Sequence, residues 1–358
     1  MIKKVSYITL SIVCLGLFGL LLFARTTEKC LADAQQQLNA LDAQKKLTML
    51  CFTQDKLTEG QAAFEKLVGD FSQNPHTAEA VDQIAAHCSS LKMHQQARQY
   101  YQYILDNWPN DSVAIWAQTG AATASISLDD KQAADAAVAS LLANFGGHQY
   151  IQKAVFSIAA YSQWDGKYQR AKDICQYVLA NWPKGEFSLW AQMDLASSYV
   201  GLGDDQNAQA EIEKLLANFK DHPQLNWARF VVGQQYYTQN RFPEAAAMWE
   251  EVMAEKPAFT YDEFGEAYLF MGDCYRRLGQ LQKAVENYQR SAEDYPDYKY
   301  GWHALFLTGH NYQRMKKAGG ISAEAADAET KAAYEQLLEK YPDCKAAKAA
   351  QDWLSRNN

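Results

Sequence analysis

The chain has 358 residues, and its 34 Lys and Arg are outweighed by 42 Asp and Glu, which gives a formal net charge of −8. This balance argues against a nucleic-acid partner, because a protein of that class needs a basic stripe on its surface. Hydrophobic residues make up 48% of the chain, which is ample for a core. Length alone would suggest two or three domains, unless the chain repeats one small unit.

The N-terminal segment is predicted to bring the chain to a membrane. Lys3 and Lys4 precede an uncharged run, Val5–Ala24, that is long enough to span a bilayer as a helix. Residues 1–25 are therefore interpreted as an uncleaved signal-anchor, and the alternative is a cleaved signal peptide that releases the protein into the periplasm. In either case the lysines favour an orientation in which the rest of the chain lies outside the cytoplasm. Residues 26–37 follow as a polar spacer.

Alanines recur every 37 residues along most of the chain. One series marks the first helix of a repeated pair and another marks the second: Ala43, Ala80, Ala117, Ala154, Ala191 and Ala228, then Ala97, Ala134, Ala171, Ala208 and Ala245. A fixed period between about 20 and 50 residues indicates a solenoid of stacked units. In the central unit the helices are predicted at Leu189–Val200 and Gln206–Phe219, with Gly201, Gly203 and Asp204-Asp205 in the turn.

The fold class that follows is all-α. Residues 38–358 are predicted to form a right-handed α-solenoid of about eight helix hairpins, preceded by the N-terminal hydrophobic helix. In the first, degenerate hairpin, Leu47 and Leu50 are expected to supply part of the apolar face. At the other end, Lys345–Trp353 is predicted to be a helix that covers the last apolar surface, as solenoids require.

One repeat carries a recognisable signature. Gly272, Tyr275, Ala284, Tyr288 and Pro296 stand at the spacing of the tetratricopeptide repeat. The period of 37 and the placement of the extra residues after the second helix resemble the bacterial cell-envelope branch of that family. That branch includes outer-membrane-assembly lipoproteins and Tol-Pal-associated periplasmic coordinators. The resemblance implies a non-enzymatic, membrane-anchored scaffold that serves cell-envelope assembly or maintenance.

The resemblance also implies a binding surface. In this family the first helices line a concave groove that takes a protein or peptide segment, and the matching positions here are largely aromatic. They are Trp116, Lys153, Phe156, Trp190, Met193, Trp227, Phe230, Gln234 and Tyr237. Two alternatives stay open: the three tryptophans could pack between repeats as core, or they could stack against cell-wall glycan.

The sequence shows no recognisable catalytic or cofactor motif, so the chain is predicted not to be an enzyme and to need no cofactor or metal. It has no metalloprotease, dithiol, nucleophile-elbow or phosphate-loop pattern. Asp129-Asp130 and Asp204-Asp205 fall in turns, where they are expected to cap the next helix. His148 and His222 are expected to be surface histidines of equivalent loops, since neither has a nearby second ligand in the sequence.

The seven cysteines are predicted to be free thiols that are mostly buried. Cys51 and Cys88 occupy the same site in successive repeats, and stacked helices lie about 8–10 Å apart. A disulfide needs Cα atoms within about 7 Å, so this pair should not be bonded. No lipobox precedes Cys14 or Cys30.

Overall fold

The computed structural model describes residues 35–255 and 260–357. The predicted anchor, Val5–Ala24, and most of the polar spacer lie outside these residues. The chain divides into two compact units, Met1–Val155 and Phe156–Asn358, which are considered separately below. Within the described residues both units are helical, and the spacer's last residues, 35–37, already belong to the first helix.

The described part of unit 1 consists of consecutive helix hairpins. The helices are α1 (residues 35–53), α2 (Leu57–Asp70), α3 (Thr77–Ser90), α4 (His94–Asn107), α5 (Ala114–Ser127) and α6 (Lys131–Phe145). The next helix, α7 (Ile151–Trp164), crosses the boundary between the units. Each odd-numbered helix is followed after a short turn by its even-numbered partner, as the two alanine series predict.

The described part of unit 2 continues the same alternation. Its helices are α8 (Tyr168–Asn181), α9 (Ser188–Leu202), α10 (Asp205–Asn218), α11 (Leu225–Thr238), α12 (Phe242–Ala254), α13 (Tyr261–Arg277), α14 (Leu281–Glu293), α15 (Gly301–Lys317), α16 (Ala323–Lys340) and α17 (Ala347–Asn357). The prediction of about eight hairpins and a final capping helix is confirmed in these residues, and α17 packs against α16.

The alanine series lies where helices cross closely. Ala154, Ala191 and Ala228 are completely buried in the first helices, and so are Ala171 and Ala208 in the second helices. A methyl group at these points lets two backbones approach each other, whereas a larger side chain would force them apart. The contact face that the alanine series predicts is therefore confirmed at these positions.

The first hairpin is the exception. Ala43 is exposed, and Leu47 and Leu50 are 49% and 51% exposed, so the prediction that these leucines face the core was wrong. The helix α1 instead turns Leu41 and Phe52 inward, and both belong to the buried cluster of unit 1. The Phe52 ring occupies the space beside α2 and lies near Tyr100, which sets the rotation of α1 about its axis.

The turn between α9 and α10 is shorter than predicted, because α9 continues to Leu202 and α10 begins at Asp205. Gly201 is still helical, and the helix ends at Gly203, whose φ of 72° is the left-handed conformation that glycine accepts without strain. The predicted cap is confirmed at Asp204, whose side chain accepts a hydrogen bond from the backbone N–H of Asn207. Asp130 caps α6 in the same way through Ala133.

Candidate partner-binding surface

The helix α9 is the most enclosed element of unit 2. Eleven of its fifteen residues are buried. A helix that is apolar nearly all round is expected in a core rather than at a surface. Its neighbours are α8, α10 and α11, and α11 packs closely along α9 while it touches α10 only slightly. Other junctions place the first helix of a repeat mainly on the preceding second helix, as in α4–α5 and α14–α15.

Polar side chains tie the C-terminal halves of three first helices together. The Gln163 side chain of α7 donates from Nε2 to Oε1 of Gln235 on α11 at 3.3 Å. Its own Oε1 accepts from the Ser198 hydroxyl of α9 at 2.8 Å. One turn further along, the Gln239 amide donates to the Tyr168 hydroxyl at 3.1 Å. The two bonds of Gln235 and Gln239 reach across two repeats and the Ser198 bond joins adjacent repeats, so α7, α9 and α11 lie close together here.

The predicted groove residues of α9 and α11 fall into two groups. Trp190, Trp227, Gln234 and Tyr237 are half-buried. Met193 is 8% exposed and Phe230 is fully buried. We call the four half-buried residues the α9–α11 patch.

The burial of Phe230 has a clear cause. The Trp227 ring stacks over it at 5.3 Å, and Trp249 of α12 lies beneath it at 5.7 Å. The Trp249 indole N–H also donates to the Phe230 carbonyl at 3.0 Å. Phe230 is therefore a core residue that supports Trp227, and it does not present an exposed anchor to a partner.

Tyr237 lies at one end of the patch in a network of polar and aromatic contacts. Its hydroxyl donates to the Asp273 carboxylate, which Arg276 also contacts. Burial raises the pKa of Tyr237, and the hydrogen bond to Asp273 raises it further. The Tyr237 ring packs on Phe242 and Phe270, with centroids 5.6 Å and 5.3 Å away. These contacts hold the Tyr237 side chain in one position.

The other predicted groove residues occupy different surroundings. In unit 1, the half-buried Trp116 ring lies 5.9 Å from Tyr150, and the Nζ of the exposed Lys153 is 5.5 Å from the Trp116 centroid. In unit 2, Phe156 stacks on Phe187 at 5.3 Å. Each tryptophan that was considered as a glycan platform is therefore partly covered by other side chains of its own unit.

Two histidines that the sequence places in equivalent loops contact the backbone and a ring of their own turns. His148 and His222 each accept, through Nδ1, a hydrogen bond from the backbone N–H two residues ahead, and each lies edge-on to a phenylalanine. They therefore shape two equivalent inter-repeat turns.

Among the described cysteines none is bonded to another, and Cys88, Cys175 and Cys274 are buried. Burial raises the pKa of Cys88 to about 12.

One buried acid was not anticipated. Asp194 on α9 is 5% exposed, and burial raises the pKa of its carboxyl to about 7. The sequence carried a signal for it, since this is a single carboxylate within the otherwise uncharged helix of residues 188–202.

Within the described residues, no group of His, Cys, Asp and Glu is arranged to hold a metal ion. A search of the same residues finds no helix suited to crossing a bilayer.

Comparison with known proteins agrees with the repeated hairpins. The family profile described as "YfiO: Outer membrane lipoprotein" matches residues 150–307, somewhat less than half of the chain. A curated relative, the phagocyte signaling-impaired protein of Drosophila pseudoobscura pseudoobscura, is 29% identical over 133 residues. That match covers 37% of this chain and 13% of the relative. The chain thus spans a small part of that relative's length.

Solved tetratricopeptide structures are also similar. A tetratricopeptide repeat protein from Parabacteroides merdae has 15% identity and a TM-score of 0.40, covering 75% of this chain and 99% of its own. The C-terminal part of a repeat-containing protein from Cytophaga hutchinsonii has 14% identity and a TM-score of 0.44, covering 75% and 98%. The hairpin architecture defines a helical-repeat protein. Its hairpins resemble those of tetratricopeptide-repeat proteins, and part of the chain also matches the outer-membrane-lipoprotein profile.

Proposed function

We propose that the protein is a non-enzymatic scaffold of the cell envelope that binds a protein segment on the α9–α11 patch. The observation that carries this proposal is the pairing of Trp190 and Trp227, two half-buried tryptophans at equivalent positions of helices that pack side by side. Aromatic side chains that are held rigidly at a surface are frequent anchors in protein interfaces. The buried Phe230 and the Asp273 network support the two ends of the patch.

The envelope location rests on two observations that differ in kind. The profile that matches residues 150–307 is described as an outer membrane lipoprotein. The apolar run Val5–Ala24, with Lys3 and Lys4 before it, fits a membrane anchor that places both units outside the cytoplasm. A C-terminal fusion to a reporter that is active only outside the cytoplasm should therefore be active. Activity of a cytoplasm-specific reporter in the same position would contradict the proposal.

The binding proposal is tested by site-specific photo-crosslinking in intact cells. A photoreactive residue at Gln234, inside the patch, should form an adduct with a protein. The same residue at Gln209, an exposed position on the second helix α10, should not. Equal adducts from both positions, or none from Gln234, would count against the patch. Sedimentation of the purified protein with cell-wall polysaccharide, reduced by Trp190→Ala, would instead favour the glycan alternative.

A further inference from the structure

The carboxyl group of Asp194 on α9 is buried, and among the described residues it has no side-chain partner. Asp194 is 5% exposed, and the hydrogen bond at this residue involves its backbone carbonyl, which accepts from Ser198. Within the described residues, no hydrogen bond or ion pair satisfies its side chain. Most buried carboxylates are paired or hydrogen-bonded, because an ionised group that is taken out of water without compensation is costly.

The position of Asp194 can be traced along two facing helices. Asp194, Ser198 and Gly201 follow one another on one side of α9, and the Tyr168 ring of α8 lies against Gly201. Two turns along α8 from Tyr168 is Cys175, a buried thiol whose pKa is raised by burial and then by the charge of Asp194. The carboxyl therefore lies in the interface between α8 and α9, opposite a second group that is also neutral when buried.

The charged groups of the surrounding helices have other partners. On α10, Glu211 accepts from Gln192 and contacts Lys214. On α11, Arg229 pairs with Glu251 and Glu255 of α12, and Tyr236 lies beside Arg241. On α8, Lys172 lies over the Tyr199 ring, and the part of α7 in unit 2 contributes one titratable group, Tyr161, which packs on Trp164. None of these cations is paired with Asp194, because each contacts the partner just named.

We propose that Asp194 is a pH-sensitive element of unit 2: when protonated it allows α8 and α9 to pack, and when ionised it loosens that interface. The physical reason is that the carboxyl is only 5% exposed and that no positive charge among the described residues is paired with it, which disfavours the ionised form. Trp190 lies on the same helix as Asp194. Binding of a partner to the α9–α11 patch would therefore also weaken above neutral pH. That last consequence rests on the proposed function, whereas the effect on packing does not.

The direction of the pH effect follows from proton binding. The folded protein keeps the Asp194 proton up to about pH 7, while the unfolded chain releases it near pH 4. Between these values the folded state binds the extra proton, so stability falls as the pH rises and is constant above the upper value. Within this interval the folding equilibrium constant should change by up to about tenfold per pH unit.

The experiment compares urea unfolding of the full chain with that of Asp194→Asn between pH 4.5 and 7.5. The ratio of the two folding equilibrium constants should shift in favour of the asparagine variant as the pH rises. Parallel pH profiles for the two proteins would overturn the proposal. If Asp194→Asn does not fold, Asp194→Val serves in its place, because Val231 stands at the equivalent position 37 residues later.

Hydrogen exchange locates the effect. At pH 7.5, amides of α8 and α9 should exchange faster in the wild type than in Asp194→Asn, and at pH 4.5 the two proteins should agree. The control is Asp82→Asn in α3, since burial raises the pKa of Asp82 to about 6 in the other unit. That variant should alter the pH profile without changing exchange in α8 and α9. If Asp194→Asn does not change the hydrogen-exchange protection of α8 and α9 at pH 7.5, the proposal is also overturned.

Discussion

The indole of Trp249 lies directly against the backbone of Gly233. A Cβ atom at residue 233 would be 2.4 Å from the Trp249 Nε1 atom, closer than any real contact. The same relationship recurs in later repeats, where Tyr288 lies on Gly272 and Tyr334 on Gly309. The glycine of the repeat signature is therefore the space that the aromatic ring of the second helix needs.

The first prediction is that Gly233→Ala destabilises the protein. Alanine favours a helix by up to about 1 kcal/mol over glycine, but the clash with Trp249 should cost about 1–3 kcal/mol of unfolding free energy. Gly69→Ala in α2 is the control, because a Cβ there would meet nothing within 4 Å. Urea unfolding should show a loss for the first variant and a small gain for the second. Equal changes in unfolding free energy for the two variants would mean that the Trp249 ring can move away from the added Cβ atom.

The second prediction concerns the alanine series. Ala191 is fully buried on α9, so Ala191→Leu should overpack that crossing and cost about 1–3 kcal/mol of unfolding free energy. Ala217 on α10 is exposed, and Ala217→Leu should leave the melting temperature nearly unchanged. The measurement is thermal unfolding followed by circular dichroism. An unchanged melting temperature for Ala191→Leu would contradict the close crossing of helices at this point.

The third prediction concerns a buried cation. Arg229 is 4% exposed, and its guanidinium donates to Glu255 at 2.6 Å and to Glu251 at 3.1 Å. Glu255→Gln should therefore cost about 1.5–3 kcal/mol of unfolding free energy, because it weakens a hydrogen bond between charged groups. Glu213→Gln, at an exposed position on α10, should change stability much less. Chemical unfolding that does not distinguish the two variants would argue against this ion pair.

The fourth prediction separates the surface of the patch from its support. Trp190→Ala should reduce partner binding by about 2 kcal/mol or more, with a smaller loss of stability. Phe230→Ala should instead cost about 3–5 kcal/mol of unfolding free energy, because the ring is fully buried. Trp164 is 75% exposed and lies on α7 outside the patch, so Trp164→Ala should affect neither property. Binding that is retained in Trp190→Ala would exclude this residue as an anchor.

Repetition made most of the fold predictable. Equivalent alanines, such as Ala154 and Ala191, recur at a fixed interval, so each repeat confirmed the contact face of the next. The first hairpin has no preceding repeat with which to align it. There the rotation of α1 depends on the fit of Phe52 beside α2, and Ala43 consequently lies on the exposed side.

The candidate site could be predicted only in part. The equivalence of Trp190 and Trp227 follows from the interval of 37 residues, and both prove to be half-buried. The family resemblance also predicted Phe230 to face the groove, yet it is fully buried. The difference depends on Trp249, which lies on another helix, and helical spacing along one element contains no information about such a neighbour.

The sequence by itself determined the helix hairpins, their period and the buried alanine faces, because these depend on patterns within about 40 residues of chain. Only the tertiary structure decided that α11 packs along α9 more than on α10, and that Gln163 reaches Gln235. It also decided that Asp194 is buried without a side-chain partner among the described residues. Contacts across 72 residues depend on how successive hairpins rotate against one another. Small differences in side-chain volume at each junction set that rotation, and no local pattern encodes their sum.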